Sequence, residues 1–305
     1  MPHSTLGGRQ PMGAVDNPVR AGLTEAEAVF LDRGQPADPG FVVGMIDTGV
    51  VAHPFLDGHT RPLGPGDTDP MPVGELAAGH GTVVAGRILL EAPTATVVVR
   101  AALRPPYRAA GQDTDAAVAA AIRDFAAVDG LLVLNLSFAG SWTERSEPAG
   151  IAAALTELLA ARPQLLVVAA TANRWTDAPS WPAAFGEEFD RVVPVGAVDE
   201  TIVLEDPGLG PPPAAFASRW PGIGVRAGGV RVLGPSPFGT GGWVRWSGTS
   251  LAAATVTGIL AQALHEGELR DWRSYVAEHS AAPPGVRYLR SAELTALGYV
   301  GGGDA

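Results

Sequence analysis

Apolar residues in this chain fall into short unbroken runs, separated by longer stretches in which they recur every third or fourth position. Phe41-Val42-Val43-Gly44-Met45-Ile46 has the length and continuous apolarity of a parallel strand buried on both faces. Ala95 to Ala101, Leu131 to Leu136, Leu165 to Ala170 and Val192 to Ala197 are runs of the same kind. Helical spacing occupies the stretches between them: His80 to Leu90, Asp115 to Ala127, Gly150 to Ala161 and Ser250 to about Glu266. Strand and helix in alternation predict an α/β fold, a three-layer doubly wound and mostly parallel sheet with helices on both faces. Residues 1–40 read as an arm and linker, aperiodic apart from a short helix over Leu23 to Leu31 that Thr24 is placed to cap. One domain follows over 41–280, and 281–305 form a tail, Gly-rich at Gly301 to Gly303, that packs on the domain or frays from it.

Composition removes several chemistries. The 305 residues, 46% hydrophobic, suffice for one sizeable α/β domain. All 21 basic residues are Arg, so a Schiff-base lysine, a P-loop lysine and a Ser-Lys dyad are excluded. A net charge of -11 with scattered arginines argues against nucleic acid as a partner, because counterion release needs clustered positive charge. No cysteine is present, which excludes thiol catalysis and Cys-ligated zinc. The polar start, Met1-Pro2-His3-Ser4-Thr5, lacks the apolar core of a secretory signal, and no apolar run reaches membrane-spanning length. The expectation is a cytoplasmic protein with no membrane partner.

In a doubly wound sheet, ligands bind beyond the carboxyl ends of the strands. Asp47, Asn135, Ser137 and Asn173 lie there, each at or just after the end of an apolar run. His80 opens one helix and Ser250 another, within Trp246-Ser247-Gly248-Thr249-Ser250-Leu251-Ala252. Unpaired N–H groups and the positive end of the helix dipole at such a start favour developing negative charge, which suits a nucleophile. Taken alone, Ser250 or Thr249 reads first as a simple N-cap, by far the commonest role for such a residue. Asp47, His80 and Ser250 together supply an orienter, a base and a nucleophile in the chain order aspartate, histidine, serine.

From about Phe41 to Ala263 the chain resembles the subtilisin-like serine proteases. Asp47-Thr48-Gly49 with His53-Pro54 is similar to the family's aspartate motif, and His80-Gly81-Thr82 with Val84-Ala85-Gly86 to its histidine motif. Asn135-Leu136-Ser137-Phe138-Ala139-Gly140 resembles the substrate-pairing segment, and Ala170-Thr171-Ala172-Asn173 the segment carrying the oxyanion asparagine. Gly248-Thr249-Ser250-Leu251-Ala252 resembles the nucleophile motif. The resemblance implies a serine endopeptidase whose domain spans 41–280, with Asp47, His80 and Ser250 as the triad and Asn173 in the oxyanion hole. It implies substrate contacts from Ser137, Phe138, Ala139, Gly140, Ala170, Thr171 and Ala172, and a protein or peptide as the partner.

Departures from the family pattern carry expectations of their own. Ala139 and Ala172 stand where glycine is usual, and two added methyl groups narrow the pockets, so bulky aromatic P1 side chains are expected to be disfavoured. Ala254 replaces a proline and Val83 a second histidine, neither of which takes part in the chemistry. No cofactor is expected. Leu90-Glu91-Ala92-Pro93-Thr94 runs from helix to strand without room for an Asn-rich calcium loop. Asp67, Asp69 and Glu75, among Pro65, Pro70 and Pro72, read as a solvated loop rather than a metal site. His53 and His59 read as structural or solvated, and His265 and His279 as surface residues. Trp142 and Trp175 are the candidate aromatic contacts to substrate, whereas Trp181, Trp220 and Trp272 read as packing. Gly239-Thr240-Gly241-Gly242, with no lysine, reads as a hairpin turn and not a phosphate loop. Two other classes remain open, an α/β-hydrolase-type esterase and an inactive binding module on a protease fold. Chain order opposes the first, since an acid and a histidine would have to follow Ser250.

Overall fold

The computed structural model describes residues 19–24, 27–28, 31, 36–65, 67, 79–103, 114–140, 147–202, 204, 209–238, 241–280 and 287–291. In chain order the strands are β1 (Val19–Ala21), β2 (Val42–Asp47), β3 (Thr60–Pro62), β4 (Thr96–Ala101), β5 (Leu131–Leu136), β6 (Leu166–Ala170), β7 (Val192–Val198), β8 (Val225–Gly228), β9 (Val232–Pro235) and β10 (Trp243–Trp246). The helices are α1 (His80–Glu91), α2 (Thr114–Asp124), α3 (Ala149–Ala161), α4 (Thr249–His265) and α5 (Trp272–Glu278).

Seven strands form one sheet in the order β3-β4-β2-β5-β6-β7-β8. Every pairing in it is parallel. The unbroken apolar runs follow from burial on both faces. Successive side chains of a strand point to opposite sides, so Val43 and Met45 pack toward α1 and α4 while Val42 and Ile46 pack toward α2 and α3. Burying each such side chain contributes about 1.5–3 kcal/mol. Gly44 is small for a reason: a Cβ there would lie 2.7 Å from the Phe125 ring, which covers the strand on the α2 side.

The sheet's order reverses at β2, which has β4 on one side and β5 on the other. That is where the carboxyl-end crevice of a doubly wound sheet opens. Asp47 is the last residue of β2.

The strands and helices predicted for the domain are present with ends shifted by at most three residues, whereas the arm helix expected over Leu23 to Leu31 lies partly outside the described residues. Residues 125–127, expected in the second helix, form a separate 3-10 turn. Sequence periodicity missed β1, β3, β8, β9 and β10, which are three or four residues long. Three of these form a second sheet, antiparallel and ordered β1-β10-β9. The expected hairpin turn before Trp243 joins β9 to β10, although Gly239 and Thr240 lie outside the described residues. At the other end of the chain, Tyr288 bridges Arg226 of β8 in parallel, and Leu289 is buried against the core. Most of the expected tail, including Gly301 to Gly303, lies outside the described residues.

Candidate active site

Strand β2 ends at Asp47 because Thr48-Gly49 turns the chain, with Gly49 in the left-handed region at φ +97°. The Asp47 carboxylate is fully buried and Oδ1 accepts from the Thr48 N–H at 2.7 Å and its hydroxyl at 3.2 Å. The Thr48 oxygen in turn accepts from the Gly81 N–H at 3.0 Å, tying the strand end to the first turn of α1. A Cβ at Gly81 would lie 2.3 Å from the Gly49 carbonyl, so only glycine lets that helix approach.

This contact brings His80 Nδ1 to 2.9 Å from Asp47 Oδ1 and 3.0 Å from Oδ2. A carboxylate only accepts, so Nδ1 carries the hydrogen and Nε2 is left with a lone pair. The Trp246 ring meets the imidazole edge-on, 5.7 Å between centroids and 76° between planes.

Ser250 is the second residue of α4, after Gly248 in extended conformation. Three contacts hold this helix start. The Thr249 N–H donates to Asn173 Oδ1 at 2.9 Å, and the Thr249 hydroxyl donates to the Thr171 carbonyl. The Ser137 hydroxyl donates to the Ser250 carbonyl at 2.9 Å. Asn173 is therefore oriented with its oxygen toward the helix start, and its NH2 is the donor end of the amide. Ser250 Oγ and His80 Nε2 are both buried and have no hydrogen-bond partner among the described residues. A native fold rarely leaves such atoms orphaned without a chemical reason.

The expected substrate-binding residues divide. Ala139, Gly140 and Ala172 are partly exposed, whereas Ser137, Phe138, Ala170 and Thr171 are buried. Phe138 packs into the α2 and α3 side of the core. Thr171 directs both its N–H and its hydroxyl to the Val195 carbonyl, each at 3.0 Å. The Gly140 N–H donates to the Trp181 carbonyl at 3.0 Å, and the Ala172 N–H to Ser180 Oγ at 3.1 Å. Asn135 is buried between β5 and α4, its amide donating to Thr257 Oγ1 at 2.8 Å.

Other candidates make contacts of their own. His53 is buried, with Nδ1 accepting from the Phe55 N–H at 3.1 Å and Nε2 donating to the Gly242 carbonyl at 2.8 Å. Burial pushes its pKa below the ordinary value despite that carbonyl, so the ring is neutral and structural. His59 bonds the Ala95 carbonyl at 3.2 Å, His265 stacks on Phe41, and His279 stacks on Tyr275. Trp175 is 50% exposed, with Arg219 over its ring, and Trp142 lies outside the described residues. Asp67 corrects the expectation of a solvated loop. It is fully buried and accepts from the Ala101 N–H at 2.9 Å and Arg100 Nη1 at 3.3 Å. Asp69 and Glu75 lie outside the described residues. Among the described residues no group of three or more His, Asp or Glu side chains is placed to hold a metal ion. No helix among them is long and apolar enough to cross a membrane.

Sequence reasoning missed one feature between α1 and α4. Arg87 is 1% exposed, donates from Nε to Thr255 Oγ1 at 2.8 Å, and pairs through Nη2 with the buried carboxylate of Glu91. A charged pair four residues apart on a helix otherwise apolar all round was the available signal.

The profile of the Subtilase family matches residues 38–280. No curated protein sequence matches. Similar solved structures include the self-cleaved protease domain of PatA, 24% identical with a TM-score of 0.62, covering 89% of this chain and 100% of that one. Prenylagaramide maturation protease PagA is 21% identical with a TM-score of 0.57, covering 85% and 88%. A cold adapted subtilisin-like serine proteinase is 20% identical with a TM-score of 0.59, covering 86% and 95%.

Proposed function

The chain belongs to the subtilase family of serine proteases, and on that premise we propose that it is an endopeptidase working through Asp47, His80 and Ser250. The observation that carries this reading is the buried pair of Asp47 and His80 Nδ1, which leaves Nε2 as the lone-pair nitrogen, together with a buried Ser250 Oγ that, like Nε2, has no hydrogen-bond partner among the described residues. A serine hydroxyl is a weak nucleophile at neutral pH. His80 takes its proton as the oxygen attacks the scissile carbonyl, and Asp47 stabilises the imidazolium that results. The oxyanion then accepts from the Asn173 NH2 and the Ser250 backbone N–H, the latter reinforced by the start of α4. His80 returns its proton to the leaving amine, and water repeats the sequence on the acyl-enzyme.

Ala139, Gly140 and Ala172, the partly exposed members of the two flanking segments, line the cleft in this reading. Two similar structures are named as maturation proteases, for patellamide and prenylagaramide. They support a role on a dedicated protein or peptide precursor. An intracellular setting is part of the same proposal, as is chemistry without a cofactor.

Fluorophosphonate labelling of the wild type, Ser250→Ala and His80→Ala, alongside peptide cleavage, tests the assignment. Labelling and cleavage should both be lost in the two variants; labelling that survives Ser250→Ala overturns it.

A further inference from the structure

Strand β10 leads through Ser247 and Gly248 straight into the Ser250 turn, and it is the middle strand of the small sheet. Its alternating side chains face two ways. Val244 and Trp246 are buried, and Trp246 lies against His80. Arg245 points to the other face, where its guanidinium pairs with the Glu27 carboxylate and donates through Nη1 to the Arg231 carbonyl at 3.2 Å.

Glu27 comes from the N-terminal arm, 218 positions away, yet it is 4% exposed. Its other oxygen accepts from the Thr24 N–H at 2.8 Å and from the Thr24 hydroxyl at 3.0 Å. The Glu27 N–H returns a bond to Thr24 Oγ1 at 3.2 Å, which completes a capping box. Just before it, β1 pairs antiparallel with β10, Val19 opposite Arg245 and Ala21 opposite Trp243. The arm thus grips β10 by a strand ladder and by a buried charge, one residue before Trp246.

A sheet edge could be covered by any polar strand. Burying a carboxylate to meet Arg245 is costly unless it is paired and fully bonded, as Glu27 is. We infer that residues 19–24 with Glu27 are a positioning element for His80: by fixing the course of β10 they press Trp246 against the imidazole and orient it for Ser250. This rests on the proposed triad, whose own failure would appear as labelling of Ser250→Ala, a separate readout.

Glu27 and Trp246 do not touch in this scheme, so a double-mutant cycle read in kcat separates positioning from general stability. Glu27→Gln, Trp246→Phe and the double variant are assayed on a peptide substrate below their melting temperatures, with folding followed by circular dichroism. Small displacements of a catalytic group cost up to about a hundredfold in rate, and Glu27→Gln should lower kcat by about tenfold with KM little changed. In the Trp246→Phe background the same substitution should have almost no further effect. An equal loss in both backgrounds, or a Glu27→Gln enzyme with wild-type kcat and only a lower melting temperature, overturns the inference. Should Glu27→Gln fail to fold, Thr24→Ala, which loosens the same carboxylate but keeps its charge, is put through the same cycle with the same two outcomes deciding.

Discussion

The Arg87–Glu91 pair allows a sharp test of how the two helices that carry His80 and Ser250 are joined. Their side chains are 1% and 2% exposed. Replacing Arg87 with Met leaves the Glu91 carboxylate in the interior without its cation. Breaking a buried pair in this way costs about 3–5 kcal/mol, against a total stability of roughly 5–15 kcal/mol. The double variant Arg87→Met/Glu91→Leu removes both charges, and such replacements run from neutral to stabilising. The bonds it forfeits include that of Arg87 to Thr255, worth about 1 kcal/mol, and the Thr255 hydroxyl keeps its own bond to the Leu251 carbonyl at 3.1 Å. The double variant should therefore lie within about 1 kcal/mol of wild type, far above the single one. Urea unfolding at pH 7 with linear extrapolation measures both, and the single variant should also melt on the order of 10 °C lower. Arg123→Gln, which breaks the half-exposed pair with Glu157, serves as the control and should leave stability unchanged within error. An Arg87→Met protein as stable as that control would refute the reasoning.

Asn173→Ala should lower kcat by about two to three orders of magnitude, the equivalent of about 2.7–4 kcal/mol for one oxyanion donor, with the fold retained; wild-type cleavage of a peptide by the purified variant would remove Asn173 from the oxyanion hole. A peptide library should show poor cleavage after Phe and Tyr, because Ala139 and Ala172 each add a methyl group to the cleft, and best cleavage at those residues would count against narrowed pockets. His53 is held neutral with its pKa below the ordinary 6.5, so the unfolded chain binds the extra proton first and stability declines as pH falls below about that value. His53→Gln should flatten that decline in urea midpoints taken between pH 7.5 and 5; an unchanged slope would place the pH sensitivity elsewhere.

The large sheet was legible because its strands are buried on both faces, so Leu165 to Ala170 and Val192 to Ala197 write themselves as unbroken apolar runs. The short antiparallel strands carry no such signature. Trp243-Val244-Arg245-Trp246 alternates over only four residues, and half of its outward face is satisfied by an arm distant in sequence. For the site, the order and local motifs of Asp47, His80, Asn173 and Ser250 could be read directly. Which neighbours serve them could not. Ser137 read as a substrate contact, and the tie of its hydroxyl to the Ser250 carbonyl, set by how β5 meets α4, was not legible. Asp67 read as solvated because prolines surround it, whereas its partners Ala101 and Arg100 come from a strand some thirty residues on.

The large separation between Glu27 and Arg245 also says something about the order in which the protein comes into being. Asp47 and His80 leave the ribosome before Ser250, which follows His80 by 170 positions and shares its strand approach with the arm's last contact. At synthesis rates of about 5–20 residues per second, the growing chain carries Asp47 and His80 without Ser250 for roughly 10–35 s. The closing of β1 onto β10 is among the longest-range contacts the fold must make, and such contacts form late. On the proposed triad, a chain cut short before β10 would hold the strands of the large sheet yet lack Ser250, and the capacity to cleave would arrive only once the arm can meet β10.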